Sequence, residues 1–184
     1  MKSFLIAMLL AFAGWAGAAP VTGFSDAYDV ANWTAVPGSG AVDTGAVPAA
    51  VSLTSGAANS GNDVVTDFFV TVVSDAFFTF DWSFVSADDP FFQSFGYLLG
   101  DSVATLSFGE LTSNIAPDSG SASVFAEAGQ IFGFRAISFQ EGSLSATSTI
   151  GNLMVTSVPE PTVLALVILA LLSAAAATRA QRVR

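Results

Sequence analysis

Ala76-Phe77-Phe78-Thr79-Phe80-Asp81-Trp82-Ser83-Phe84-Val85 decides the fold. Ala76, Phe78, Phe80, Trp82 and Phe84 fall on one face of an extended chain, and Thr79, Asp81 and Ser83 on the other. That alternation of period two is the pattern of a half-buried antiparallel strand. Trp82 shares its face with three phenylalanines, so it reads as core rather than as a ligand platform.

Similar segments lie on both sides. Before it, Val47 to Thr54 aligns Val51 with Leu53, and Val64 to Val73 is dense in Val, Phe and Thr. After it come an aromatic segment from Phe91 to Leu99, a short strand from Val103 to Phe108, then Ser121 to Ala126, Gln130 to Ser138 and Ser143 to Val155. Gly151 marks a bulge in the last of these. Turn residues punctuate the series, notably Pro37-Gly38-Ser39-Gly40 and Pro117-Asp118-Ser119-Gly120, and Glu110 to Gly120 reads as a loop. No amphipathic helix and no internal repeat interrupts it. The expectation is an all-β domain, an antiparallel β-sandwich or jelly roll of about eight strands, over residues 19–157.

The ends have a different character. Met1-Lys2, the apolar run Phe4 to Trp15 and the small residues Ala16-Gly17-Ala18 have the layout of a signal peptide cut after Ala18. Residues 158–184 hold Pro159-Glu160-Pro161, the apolar run Thr162 to Ala177, and an end carrying Arg179, Arg182 and Arg184. Sixteen residues of helix reach about 24 Å, short of a hydrocarbon core of roughly 30 Å. The arginines place the far end on the cytoplasmic side.

Proline–glutamate–proline, apolar helix and arginine-rich end, in that order, resemble a PEP-CTERM sorting signal. The resemblance implies export across the inner membrane of a Gram-negative bacterium, processing by signal peptidase and an exosortase, and a final place at the cell surface or in an exopolysaccharide matrix or biofilm. Phe80-Asp81-Trp82-Ser83-Phe84, Asp88-Asp89-Pro90-Phe91, Phe95-Gly96-Tyr97-Leu98-Leu99, Ala128 to Arg135 and Gly151-Asn152-Leu153 also resemble exported PEP-CTERM proteins with a small β-sandwich. Those often carry an aspartate-containing turn before the final strand, where this chain has Gln140-Glu141-Gly142.

Composition excludes much chemistry. The chain has no cysteine and no histidine, and Arg135 is the only lysine or arginine in residues 19–157. Thiol, imidazole and Schiff-base catalysis are therefore absent from that segment. All but one of the 15 acidic residues lie there, so it is more acidic than the chain's formal charge of −10 conveys. Such a surface repels nucleic acid and anionic lipid.

Three kinds of site are compatible with what remains. Asp88, Asp89 and Asp101 border loops and offer hard oxygens to calcium, although an aspartate in a turn also serves its own local hydrogen bonds. Trp33 and Tyr97 could stack on sugar rings. Asp81 paired with Asp88 or Glu110 would be a glycosidase-like couple. Arg135 suits a local salt bridge on the sheet surface. The expectation is a non-enzymatic structural or adhesive protein, with a carbohydrate-binding module as the alternative and a carboxylate glycosidase as a distant one.

The short apolar tail makes a poor permanent anchor, so the mature protein should lack Thr162 to Arg184. C-terminal peptide mapping of the exported protein checks this, and recovery of an intact Arg184 end would show an anchor instead. Replacing Pro159-Glu160-Pro161 with alanines should leave a full-length species in the inner membrane.

Overall fold

A computed structural model describes residues 19–58, 62–87, 89–139 and 144–158. The signal segment, Asp88 and the tail with Pro159, Glu160, Pro161, Arg179, Arg182 and Arg184 lie outside the described residues. Among those described, no helix is long and apolar enough to cross a membrane.

Eleven strands run through this region: β1 Val21–Thr22, β2 Thr34–Val36, β3 Ala41–Asp43, β4 Ala50–Thr54, β5 Val64–Thr71, β6 Ala76–Ser86, β7 Gln93–Gly100, β8 Ser107–Glu110, β9 Asp118–Ala126, β10 Ile131–Ser138 and β11 Ala146–Ser157. They form two antiparallel sheets. The first has the order β3-β4-β11-β6-β9, with β1 paired to β11; the second is β2-β5-β10-β7-β8. The strand count exceeds the eight expected because β1, β2 and β3 are two or three residues long. Their side chains are mostly exposed, so they carry no hydrophobic pattern.

Several boundaries differ from the sequence reading, two of them in kind. Val103–Thr105 is a 3₁₀ turn rather than strand, closed by Ser102 and Thr105, whose side chains and backbone cap one another. Asp118 to Gly120 belongs to β9 rather than to a loop. The Trp82 indole lies over Gly120, where a Cβ would make a tight contact 3.1 Å from Nε1.

β6 carries out the alternation its sequence promises: Ala76, Phe78, Phe80, Trp82 and Phe84 are all buried. They meet the inner face of β10. Phe78 stacks on Phe132 with centroids 4.1 Å apart, and Phe80 meets Phe134 edge-on at 4.9 Å. At one end of the sandwich, buried Gln93 of β7 replaces an apolar contact with a polar one. Its carbonyl accepts from Ser55 at 2.7 Å, and its amide donates to Ser138 at 3.1 Å and to the Leu144 carbonyl at 2.8 Å. The Ser55 hydroxyl in turn accepts the Ala146 N–H at 3.0 Å. The network ties both sheets together with its polar atoms satisfied.

The segment before β2 also enters the core. Two 3₁₀ turns, Asp26–Tyr28 and Val30–Asn32, bring Phe24, Tyr28 and Trp33 inward. Trp33 lies parallel to Phe68 at 4.7 Å and to Phe134 at 5.9 Å, with Phe24 against it at 5.5 Å. Its indole N–H donates to the Tyr28 carbonyl at 3.0 Å.

Trp33→Ala should destabilise the protein by about 3–5 kcal/mol through the cavity it leaves. Val85→Ala, on an exposed position of β6, should change stability by less than about 0.5 kcal/mol. Urea unfolding of both variants checks the contrast, and equal midpoints would contradict the placement of Trp33.

Candidate functional site

The two outer faces of the sandwich are unlike. On the second sheet, Arg135 of β10 lies opposite Asp67 of β5 and Gly96 of β7. Its guanidinium grips the Asp67 carboxylate with two bonds, each 2.6 Å. That pairing pushes the Arg135 pKa further up, against the opposing effect of burial. The Phe108 ring lies over Gly96, where a Cβ would collide with it. Phe69 and Leu98, on the same outer side, are buried. This face is filled by its own side chains.

The outer face of the first sheet is open and mixed, with exposed Phe77, Val85, Phe125 and Met154 among polar side chains. Neighbouring strands present hydroxyls in register: Ser52 to Thr149 at 3.0 Å, Thr54 to Thr147 at 3.5 Å, and Thr79 to Ser123 at 3.2 Å. In their midst stands Asp81 of β6. Ser121 of β9 donates to its Oδ1 at 2.5 Å, and the Asn152 amide of β11 donates to its Oδ2 at 2.7 Å.

Asn152 reaches Asp81 because of a bulge. Gly151 pairs with Asp81 and Met154 with Thr79, so Asn152 and Leu153 together oppose Phe80. Asn152 sits at φ +49°, a left-handed conformation that asparagine tolerates better than most residues. The extra residue lets Leu153 stay buried while Asn152 faces outward beside Asp81. The amide first, and the Ser121 hydroxyl second, hold the Asp81 carboxyl below its ordinary pKa. Asp81 is fully exposed, and it stays ionised across the physiological range.

Two further features share this face. Phe77 and Phe125 pair directly across β6 and β9, with centroids 5.2 Å apart, and remain 46% and 40% exposed. Phe77 is four residues from Asp81 along β6, about 13 Å. An open groove of about 390 Å³ runs beside Asn152, lined by Thr22, Gly23, Pro48, Ala49, Asn152, Leu153 and Met154. A carboxylate with two fixed donors, a field of hydroxyls and an exposed aromatic pair can together hold a polyhydroxylated chain laid across the sheet.

The residues singled out in the sequence fare differently. Trp33 is only 8% exposed and stacked in the core, so it cannot offer a ring to a sugar. Tyr97 points inward as well; half-buried, its ring lies over Gly109 against the core. Asp89 accepts the Phe91 N–H at 3.0 Å, capping the turn before β7, and Asp101 accepts from Gln130 at 3.0 Å just after β7. The eight residues of β7 separate them by about 26 Å, so they cannot share a calcium ion. No group of three potential metal-ligating side chains occurs among the described residues. Asp81 and Glu110 lie on the outer faces of different sheets, Glu110 accepting from Ser94 at 2.7 Å, so they cannot flank one glycosidic bond. Trp82 is core, and Arg135 makes the surface salt bridge expected of it.

Phe77, Phe125, Ser121 and Asn152 escaped the sequence reading. The signal for Phe77 was present, since it shares the parity of Thr79 and Asp81. For Asn152 the signal was partial: Gly151 marked a bulge, but not which side chain the bulge turns outward.

No protein-family model matches the chain, and no curated protein matches it. Solved structures do. The K2 cleaved adhesin domain of Lys-gingipain is 14% identical, with a TM-score of 0.49 over 77% of this chain and 100% of that one. The N-terminal cellulose-binding domain of Cellulomonas fimi β-1,4-glucanase C is 16% identical, with a TM-score of 0.42 over 70% of this chain and 90% of that one. TmCBM61, solved with β-1,4-galactotriose, is 11% identical, with a TM-score of 0.36 over 76% and 88%.

Asn152→Ala should raise the Asp81 pKa toward the ordinary value near 3.9. Because Asp81 is depressed in the folded state, its contribution to stability is present above the unfolded pKa and fades as pH falls through the lower folded one. Carboxyl-carbon NMR titration of both proteins checks this; an unchanged Asp81 titration would show that the amide contact does not form.

Proposed function

We propose that residues 19–157 bind polysaccharide on the outer face of the first sheet, as an adhesive module of an exported protein. The observation that carries this reading is the open face itself. It sets an exposed aromatic pair and a doubly anchored carboxylate among paired hydroxyls, where the opposite face is filled by its own side chains. Aromatic rings give area and polar groups fix orientation, the usual division of labour in recognition. The PEP-CTERM-like tail supports a place at the cell surface or in an exopolysaccharide matrix, with an exosortase and signal peptidase as processing partners. The domain's chemistry offers structural and adhesive work more readily than catalysis, since histidine, cysteine and lysine are lacking.

Ala19–Ser157 forms one compact unit with its own core. In affinity electrophoresis it should be retarded by at least one soluble polysaccharide. Phe125→Ala should weaken that retardation roughly tenfold, equivalent to about 1.4 kcal/mol. Full mobility in every gel of a broad polysaccharide panel, by a protein whose far-ultraviolet spectrum shows it folded, would overturn the reading.

A further inference from the structure

Resting on that reading, we propose that the polysaccharide held beside Asp81 is uncharged. An anionic glycan needs cations to meet it, and this face has none. Among the described residues, the outward charged side chains of its strands are Asp81 on β6 and Asp43 on the edge strand β3, whose carboxylate accepts the Gly45 N–H at 2.8 Å. Both are negative. Arg135, the one side-chain cation in residues 19–157, projects from the other sheet and is paired there with Asp67 through Nε and Nη2. Its place on the opposite face keeps it from a glycan beside Asp81.

Cation bridging gives no alternative route. A carboxylate on a sugar could be joined to Asp81 through calcium only with several further hard oxygens. No group of three potential ligating side chains occurs among the described residues. The neighbours of Asp81 are an amide and a hydroxyl that both donate to it.

The same arrangement suits neutral sugars. Ser121 and Asn152 fix the carboxylate in place and use one site on each oxygen, and a carboxylate has about four acceptor sites. Those remaining accept from sugar hydroxyls, as charge-assisted bonds. The paired hydroxyls of Thr79 and Ser123 stand between Asp81 and the Phe77–Phe125 pair, so acceptor, hydroxyls and rings follow one line along β6 and β9.

The test uses Ala19–Ser157, which carries none of the tail arginines. Retardation would be measured in gels containing neutral polymers (hydroxyethylcellulose, xyloglucan, galactomannan) and anionic ones (polygalacturonate, alginate). A neutral polymer should retard it, with less than about twofold change between 20 mM and 500 mM sodium chloride, because no ion pair is screened. Asp81→Asn should weaken that retardation several-fold, its circular dichroism unchanged, and should not create retention by an anionic polymer. Stronger retention by polygalacturonate or alginate, or loss of neutral binding on adding chelator, would overturn the assignment while leaving a glycan-binding face in place. Retention by no polymer of either kind would instead remove the glycan reading on which the assignment rests.

Discussion

The stack of Phe78 on Phe132 sets the spacing of the sandwich, and most else follows from it. Each ring belongs to a strand with hydrogen-bonded neighbours on both sides, so the contact fixes the two sheets as units rather than two strands. Once the inner face of β6 is committed to aromatic packing, its outer face is determined by parity. Thr79, Asp81 and Ser83 must face away, together with Phe77 and Val85. The candidate site is therefore a by-product of the core's register. Trp33 adds to the same layer from the N-terminal side, and Gln93 closes one end with hydrogen bonds where the aromatic layer stops.

The long strands were legible because their burial alternates or is continuous, and side chains advertise both. β6, β10 and β11 fall where the pattern puts them, and even the bulge after Gly151 is visible in advance. The short strands were not legible. β1, β2 and β3 are held by main-chain pairing with neighbours already in place, and that has no side-chain signature. Proline, aspartate and glycine at 117–120 suggested a loop, yet the glycine answers to the Trp82 ring above it, a contact from another strand.

The site was harder to read than the fold, for a related reason. Aromatic residues in irregular sequence look exposed, but two 3₁₀ turns suffice to drive Trp33 into the core. Loop aspartates look like ligands until a strand of known length is seen between them. The contact between Asp81 and Asn152 spans 71 residues and needs the bulge, so no local pattern contains it. What the sequence did contain was the charge argument. A segment with one arginine has one cation to place, and the structure had only to show where it went.

The bulge at Asn152 also acts as a phase shifter in the last strand. Before it, the odd-numbered Thr147, Thr149 and Gly151 point outward; after it, the even-numbered Met154 and Thr156 do. Deleting one residue there would not merely shorten β11. Removing Asn152 would close the bulge, set Leu153 opposite Phe80 and leave both halves in register, while taking the amide away from Asp81. A deletion elsewhere in β11 would turn one half of the strand over, so the bulge is the place where its length can change by one residue without disturbing the core. Folding alone therefore does not keep Asn152 beside Asp81; what the extra residue supplies is that one contact.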